Sequence, residues 1–299
     1  MLNKLLKEFK DMSFCTKIIY WILFPPIYIL SFLPMSILYK VSSVIYLCLY
    51  KLSNYRKQVV IQNISRSFPY KKYNEIKSIA RDFYINFADL FVEVLKNISI
   101  SSEKINDKLT IEGFEFVENQ IQNGKSTIAC LGHCGNWEIL NCLPAKMNIN
   151  IYSGYKPIKA PIMNKLLFDI RSRFGMHLIP SQSVAKHILS NKNNPSLYLL
   201  LADQCPKKVN SSYQFPFLNQ ETSVLPGPEK LAKATGSAIV YIKLIRTQKG
   251  HFKAECQPIC ENANNMQELE ITKKYLELLE LNIEEDPSGW LWTHKRWKR

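Results

Sequence analysis

Histidine, acid and turn formers crowd into one stretch of the chain, residues 126–138 (STIACLGHCGNWE). The run Ile128 to Leu131 is apolar, bounded by turn formers and too short for a helix, so it predicts a buried strand. Gly132 ends it and His133 follows at once. Gly135 and Asn136 predict a turn, and Trp137-Glu138-Ile139-Leu140 predicts the start of a helix with Asn136 as its N-cap. An imidazole then stands at the C-terminal end of a strand, with a carboxylate at the start of the next helix. In open α/β sheets that edge is where ligands bind. A first-turn carboxylate is kept ionised by the helix dipole. If Glu138 reaches His133, it fixes the imidazole tautomer and balances the imidazolium formed when the other nitrogen takes a proton. That is the base-and-orienter half of a triad, with the nucleophile left to the substrate. On spacing alone a plainer alternative is equally good: His133 caps a turn and Glu138 is an ordinary first-turn acid.

Further chemistry-bearing residues fall at element ends. Ile162 to Phe174 predicts a helix carrying Arg171 and Arg173, stopped by Gly175. A guanidinium binds phosphate or carboxylate with two parallel bonds; the alternative is pairing with surface acids. Ser196 to Ala202 predicts a buried strand that ends in Asp203, on the same edge as His133. Asp203 is expected to orient Arg173, hold the backbone around the site or assist catalysis, with a structural cap on the loop an equal alternative. Thr222 and Gly227 precede a helix with Pro228 at its first position, whose free N–H groups suit an anion or a developing oxyanion.

The elements that must position these groups alternate strand with helix. Leu109 to Gly113 predicts a strand, Phe114 to Asn123 a helix closed by Gly124, and Ile149 to Tyr155 a second strand. Ala238 to Ile245 pairs with Phe252 to Gln257 as a hairpin, and Met266 to Ile283 predicts the last helix. Lys72 to Lys96 repeats apolar residues at helical spacing (Ile76, Ile79, Phe83, Phe87, Leu90, Val94). The pattern predicts an α/β fold with a central, mostly parallel sheet flanked by helices.

Before this, Ile18 to Tyr39 carries no charge, roughly the ~20 residues that cross a bilayer core. Pro25, Pro26 and Pro34 leave a bent, interfacial anchor open as an alternative. Trp21 and Tyr20, Tyr28, Tyr39 and Tyr46 suit an aromatic belt, and Lys51, Arg56 and Lys57 suit anionic headgroups. Met1 to Lys17 is a basic amphipathic lead. Residues 1–57 are therefore expected to attach to a membrane and residues 58–299 to form the α/β domain.

Hydrophobic content of 46% excludes a disordered chain, and a formal charge of +14 asks for an anionic partner. The eight cysteines are scattered and suit free thiols in a reducing compartment. Cys130, His133, Cys134 and Cys142 are near one another, but Cys130 belongs to the buried strand and no second cluster exists at zinc spacing. No metal and no cofactor is expected. The end of the chain, residues 286–299 (DPSGWLWTHKRWKR), interleaves indoles with cations, which suits nucleic-acid stacking or a membrane interface.

The His-x4-Glu spacing of His133 and Glu138, with Asn136-Trp137 before the acid, resembles the signature of the late (lauroyl/myristoyl) acyltransferases of lipid A biosynthesis, within the glycerolipid acyltransferase-like group. Other blocks follow in the same order over nearly the whole chain: a basic stretch ending in Asn63-x4-Phe68-Pro69, the basic helix with Arg171 and Arg173, Asp203-Gln204, the block holding Thr222 and Gly227, and the closing tail. The chain departs from the pattern at Leu218-Asn219, where many relatives have Gly after the aromatic pair. The resemblance implies a glycerolipid-acyltransferase-like fold and acyl transfer from an acyl carrier protein thioester to a hydroxyl of a phosphorylated glycolipid, a lipid A precursor. His133 and Glu138 would be the base dyad. Substrate would be held by Arg171 or Arg173, Asp203, Thr222 and Gly227. The implied location is the cytoplasmic side of the inner membrane. Acyl transfer to a glycerophospholipid or aminoacyl lipid is an alternative. A membrane-associated nucleic-acid-binding protein is another, but it leaves His133 and Glu138 unexplained, so no nucleic acid is expected as partner.

Overall fold

The computed structural model describes residues 14–206 and 213–297. The first thirteen residues of the basic lead, and Lys298 and Arg299 of the tail, lie outside the described residues.

The charge-free N-terminal run forms two helices instead of one span. Helix α1 is Phe14–Ser31 and α2 is Met35–Tyr46, which runs on through a π-helical turn at Leu47–Leu52. Pro34 separates them, because proline lacks an N–H and disfavours helical geometry in the residue before it. The stretch Met35–Leu52 is long and apolar enough to cross a membrane by length and composition. Trp21, Ile22, Ile29 and Phe32 are exposed. The end of α1 leaves carbonyls without helical partners. Lys96 Nζ donates to the Ser31 and Leu33 carbonyls at 2.9 and 3.1 Å, and Ser99 Oγ donates to Ser31 at 2.7 Å.

Two helices follow: α3 (Lys57–Ser67) and the long α4 (Tyr73–Lys96). Helix α5 (Ser102–Lys108) and then strands and helices in alternation build the sheet: β1 (Leu109–Glu112), α6 (Glu115–Gln122), β2 (Thr127–Leu131), β3 (Ile151–Tyr155), α7 (Pro161–Ser172), β4 (His177–Pro180), α8 (Val184–Ser190), β5 (Leu197–Leu201), the β6–β7 hairpin (Gln214–Phe217, Gln220–Ser223), α9 (Gly227–Thr235), β8 (Ala238–Gln248), β9 (His251–Cys260) and α10 (Glu270–Glu285). The main sheet runs β1-β9-β8-β2-β5-β3-β4 and is parallel except where β9 returns antiparallel to β8. Strand β2 lies between β8 and β5 and is buried at every residue, as its unbroken apolar run requires of a parallel strand covered on both faces. Helices α3, α4, α9 and α10 pack on one face, and α5, α6 and the turn after β2 on the other.

Three features differ from the sequence reading. Residues 177–180, to which the sequence reading assigned no element, form edge strand β4 beside β3. The stretch around Leu218-Asn219 is a tight hairpin, with both residues at positive φ (49° and 58°). A leucine tolerates this left-handed conformation here because its side chain is fully buried and its N–H donates to Glu280 Oε1 at 2.9 Å. The aromatic tail, expected to serve a nucleic acid or a membrane interface, instead folds inward. Trp290 and Trp292 are buried in the core, and Asn63 Nδ2 donates to the Trp292 and His294 carbonyls at 2.9 and 3.0 Å. Indoles gain more from burial with their N–H satisfied than from solvent, and Trp292 Nε1 finds the Pro287 carbonyl at 2.6 Å.

Trp292 has no exposed surface. Trp292→Ala is expected to cost ~3–5 kcal/mol of stability, read as a fall in the unfolding midpoint of the detergent-solubilised chain; a tail lying on the surface would make the change nearly silent.

Candidate active site

Strand register explains which groups meet. β2 and β5 pair in parallel, Thr127 with Leu197 through Leu131 with Leu201. His133 and Asp203 are each two residues past the last of those pairs, so neighbouring strands deliver them to the same point of the edge. The Asp203 carboxylate accepts the His133 backbone N–H at 2.8 Å and faces the imidazole Nδ1 at 2.6 Å. Its other donor is the indole N–H of Trp290, at 2.8 Å. The chain end is laced to the same loop: Leu291 N–H donates to the His133 carbonyl at 3.1 Å, and Gly135 N–H to Gly289 at 2.8 Å.

Burial pushes the Asp203 carboxyl up, but the adjacent imidazole and the N–H donors outweigh it and hold the group down at about 2. Asp203 is therefore an ionised acceptor, and Nδ1 of His133 carries the proton. Nε2 is left with its lone pair, facing the side-chain amide of exposed Gln204 at 3.3 Å.

Glu138 goes elsewhere. Residues Trp137–Ala145 form a 3₁₀ helix, in which successive side chains diverge by a third of a turn. Trp137 sets its ring edge-on to His133, centroids 5.0 Å apart. Glu138 therefore points away and is clamped by Arg171, with Nε to Oε2 at 2.8 Å and Nη2 to Oε1 at 2.5 Å. Burial lowers the Arg171 pKa, but the bonded carboxylate more than reverses this. Where the spacing led us to expect Glu138 beside the imidazole, the structure places Asp203, and among the described residues no hydrogen bond joins Glu138 to His133. Asn136 likewise does not cap the turn with its side chain. Its Nδ2 donates instead to Glu93 Oε2 at 2.9 Å.

The remaining candidates stand apart from the pair. Arg173 donates to the Asn97 and Ile100 carbonyls at 2.9 and 2.5 Å, capping the end of α4. Thr222 Oγ1 accepts the Trp297 indole N–H at 2.7 Å. Gly227 opens α9, with space where a Cβ would stand.

Two residues were missed by the sequence reading. Trp290 was visible only as part of an aromatic tail. Glu93 lies with Asn86 and Asp89 at helical spacing on α4, which reads as a solvated face; only the packing of α2 over it turns that face inward. Glu93 Oε1 accepts Tyr39 of α2 at 3.0 Å and Arg246 at 3.4 Å, and Arg246 also bonds Asp89 at 2.8 Å.

Beside Glu138 lies an apolar cleft of about 260 Å³. Leu90, Val94 and Ile98 of α4, Leu167 and Ile170 of α7 and Ile27 of α1 line it, and the Glu138–Arg171 pair is its polar wall.

A mostly parallel α/β sheet with its buried polar cluster at the strand-end edge has the architecture of an enzyme that meets its substrate there. A family model described as bacterial lipid A biosynthesis acyltransferase matches residues 6–299. The chain belongs to that family and is an acyltransferase of lipid A biosynthesis. No curated protein matches the chain.

The Asp203 pKa lies below its ordinary 3.8 in the folded chain. Its stabilising contribution, roughly 2 kcal/mol, is complete above about pH 4 and is lost as pH falls through about 2. Asp203→Asn is expected to lower the unfolding midpoint at pH 6, with the gap from the parent chain closing between pH 4 and pH 2. A gap independent of pH over that range would contradict the assignment of charge.

Proposed function

We propose that the chain moves a fatty acyl group from an acyl carrier protein thioester to a hydroxyl of a phosphorylated lipid A precursor. The observation that supports this best is the imidazole of His133, tied at Nδ1 to a buried carboxylate and free to accept a proton at Nε2. Nε2 takes the proton of the acceptor hydroxyl as its oxygen attacks the thioester carbonyl carbon. The C–S bond then breaks, and the leaving thiolate takes the proton back from the imidazolium to become the carrier's thiol. Asp203 stays ionised throughout, holding the tautomer and balancing the imidazolium. No acyl-enzyme forms.

The apolar cleft suits the acyl chain. Of the two arginines, Arg171 is the one that lines it, so Arg171 with Glu138 would hold the polar end of the donor at the cleft wall. The basic surface, +14 over the chain, suits both an acidic carrier protein and a phosphorylated acceptor. Residues 1–57 would attach the enzyme to the cytoplasmic face of the inner membrane. The exposed apolar faces of α1 and α2 would sit in lipid, and Ile27 would bring the cleft to the bilayer.

His133→Ala should retain the fold and lose ~10²–10⁴-fold in turnover, measured with labelled acyl carrier protein thioester and lipid A precursor. Full turnover in that variant would end the proposal. Leu167→Trp, which fills the cleft, should shift donor preference toward shorter chains. Each two methylenes no longer housed cost about tenfold in affinity at ~0.8 kcal/mol per CH₂, and an unchanged chain-length profile would remove the cleft from the reading.

A further inference from the structure

We propose that Arg296 is the centre of a phosphate-binding site next to the His133–Asp203 pair. Arg296 is buried, 2% exposed; Nη1 donates to the Ser223 carbonyl at 2.7 Å, and the Cys205 thiol is the other side chain against the guanidinium. Its Nε and Nη2 are buried and have no partner among the described residues. Those two nitrogens form the edge of the guanidinium that takes two oxygens of one anion side by side. Arg171 uses the same edge to clamp both oxygens of Glu138. In Arg296 no carboxylate among the described residues takes that edge, and only the weakly accepting Cys205 thiol lies against the guanidinium. A buried charged donor left unmet is costly, and native chains seldom keep one without a ligand for it.

The surroundings select the ligand's charge. Arg296 lies among His294, Arg56 and His133. Burial depresses the His294 pKa, and the neighbouring His133, Arg296 and Arg56 depress it further. Among the described residues the carboxylate acting on this group is Asp203, which already accepts three N–H donors. Two guanidinium groups and two imidazoles thus share a single committed acid, a balance that an anionic phosphate group restores. The position serves the reaction. Arg56 Nη1 holds the Thr293 carbonyl at 3.0 Å, and the same strap reaches His133 through Leu291. Cys205, half-buried, interacts with the guanidinium.

The site deepens the acyl-transfer reading and rests on it only for which phosphate is bound. Two substrates offer one: the acceptor glycolipid's phosphate ester and the phosphodiester of the carrier's thiol arm. The test begins with inorganic phosphate and the full chain in detergent. By calorimetric titration the parent chain should bind phosphate, and Arg296→Lys, which keeps the charge and loses the fork, should bind about tenfold more weakly, the factor that ~1.4 kcal/mol represents. KM is then compared between the two proteins for the intact acceptor and its dephosphorylated form, and for the carrier thioester and an acyl-N-acetylcysteamine thioester. A rise of about tenfold confined to one phosphate-bearing substrate names the source. Equal phosphate binding by both proteins overturns the proposal, as does an equal loss with and without the substrate phosphate, which is what a structural role predicts. If Arg296→Lys does not fold, the parent chain decides: phosphate must compete with one substrate, and competition with neither overturns the site. Phosphate binding that depends on Arg296 in a chain that transfers no acyl group would sink the acyl-transfer reading and leave the site standing.

Discussion

A carboxylate that is 3% exposed must be given hydrogen-bond donors or it will not stay charged, and the edge of this sheet is built around meeting that demand for Asp203. The three donors come from far apart in sequence. Two belong to His133, delivered by the pairing of β2 with β5; the third is the indole of Trp290, brought back by the last dozen residues. Once the acid is satisfied, the imidazole's tautomer and direction follow without a further device. The same bonds bind the loop after β2 to the chain end, so the geometry of the candidate base and the closure of the core are one problem with one solution.

The other buried acids near the loop are solved separately. Glu138 takes Arg171, and Asp89 takes Arg246. Each pairing satisfies a buried acid, and each ties a helix to the edge: α7 through Arg171, α4 through Asp89. Since removing one partner of a buried pair costs far more than the pair itself contributes, these matches specify the arrangement more than they stabilise it. Against that pattern Arg296 stands out, because among the described residues no salt bridge gives its cation an acid of its own.

The sheet was legible in the sequence wherever a strand is buried on both faces. Ile128 to Leu131, Ser196 to Ala202 and Ala238 to Ile245 are apolar runs with turn residues behind them, and their ends carry His133 and Asp203 to a common edge. Edge strand β4 and the β6–β7 hairpin were not legible, since short half-exposed strands lack that signature. At the candidate site, local spacing brought His133 and Glu138 together, while the neighbour that reaches the imidazole is seventy residues away. A sequence shows i to i+5 directly but shows β-register only after the strand order is known. The family resemblance carried the class of enzyme; it could not carry a side chain's direction in a 3₁₀ turn. The tail misled for a related reason, because indoles among cations look the same whether they face lipid, nucleic acid or the protein's own core.

Glu93 joins two parts of the molecule that the sequence kept apart. One oxygen accepts the hydroxyl of Tyr39, on the helix long and apolar enough to cross a membrane, and the other accepts Asn136, three residues after His133. Burial raises the Glu93 pKa, while Arg246, Asn136 and Tyr39 pull it down, so the charge of this group depends on both neighbours remaining in place. Asn136 in turn fixes where the 3₁₀ helix begins, and hence where Trp137 meets His133 and where Glu138 meets Arg171. Ser42, one turn of α2 beyond Tyr39, donates to Asp89 at 2.5 Å and makes the contact two-point, which resists rotation of the helix about its axis. A chain in which this apolar helix and the loop of the candidate base share a carboxylate cannot loosen one without disturbing the other. The packing of α2 on α4 is therefore part of what shapes the site.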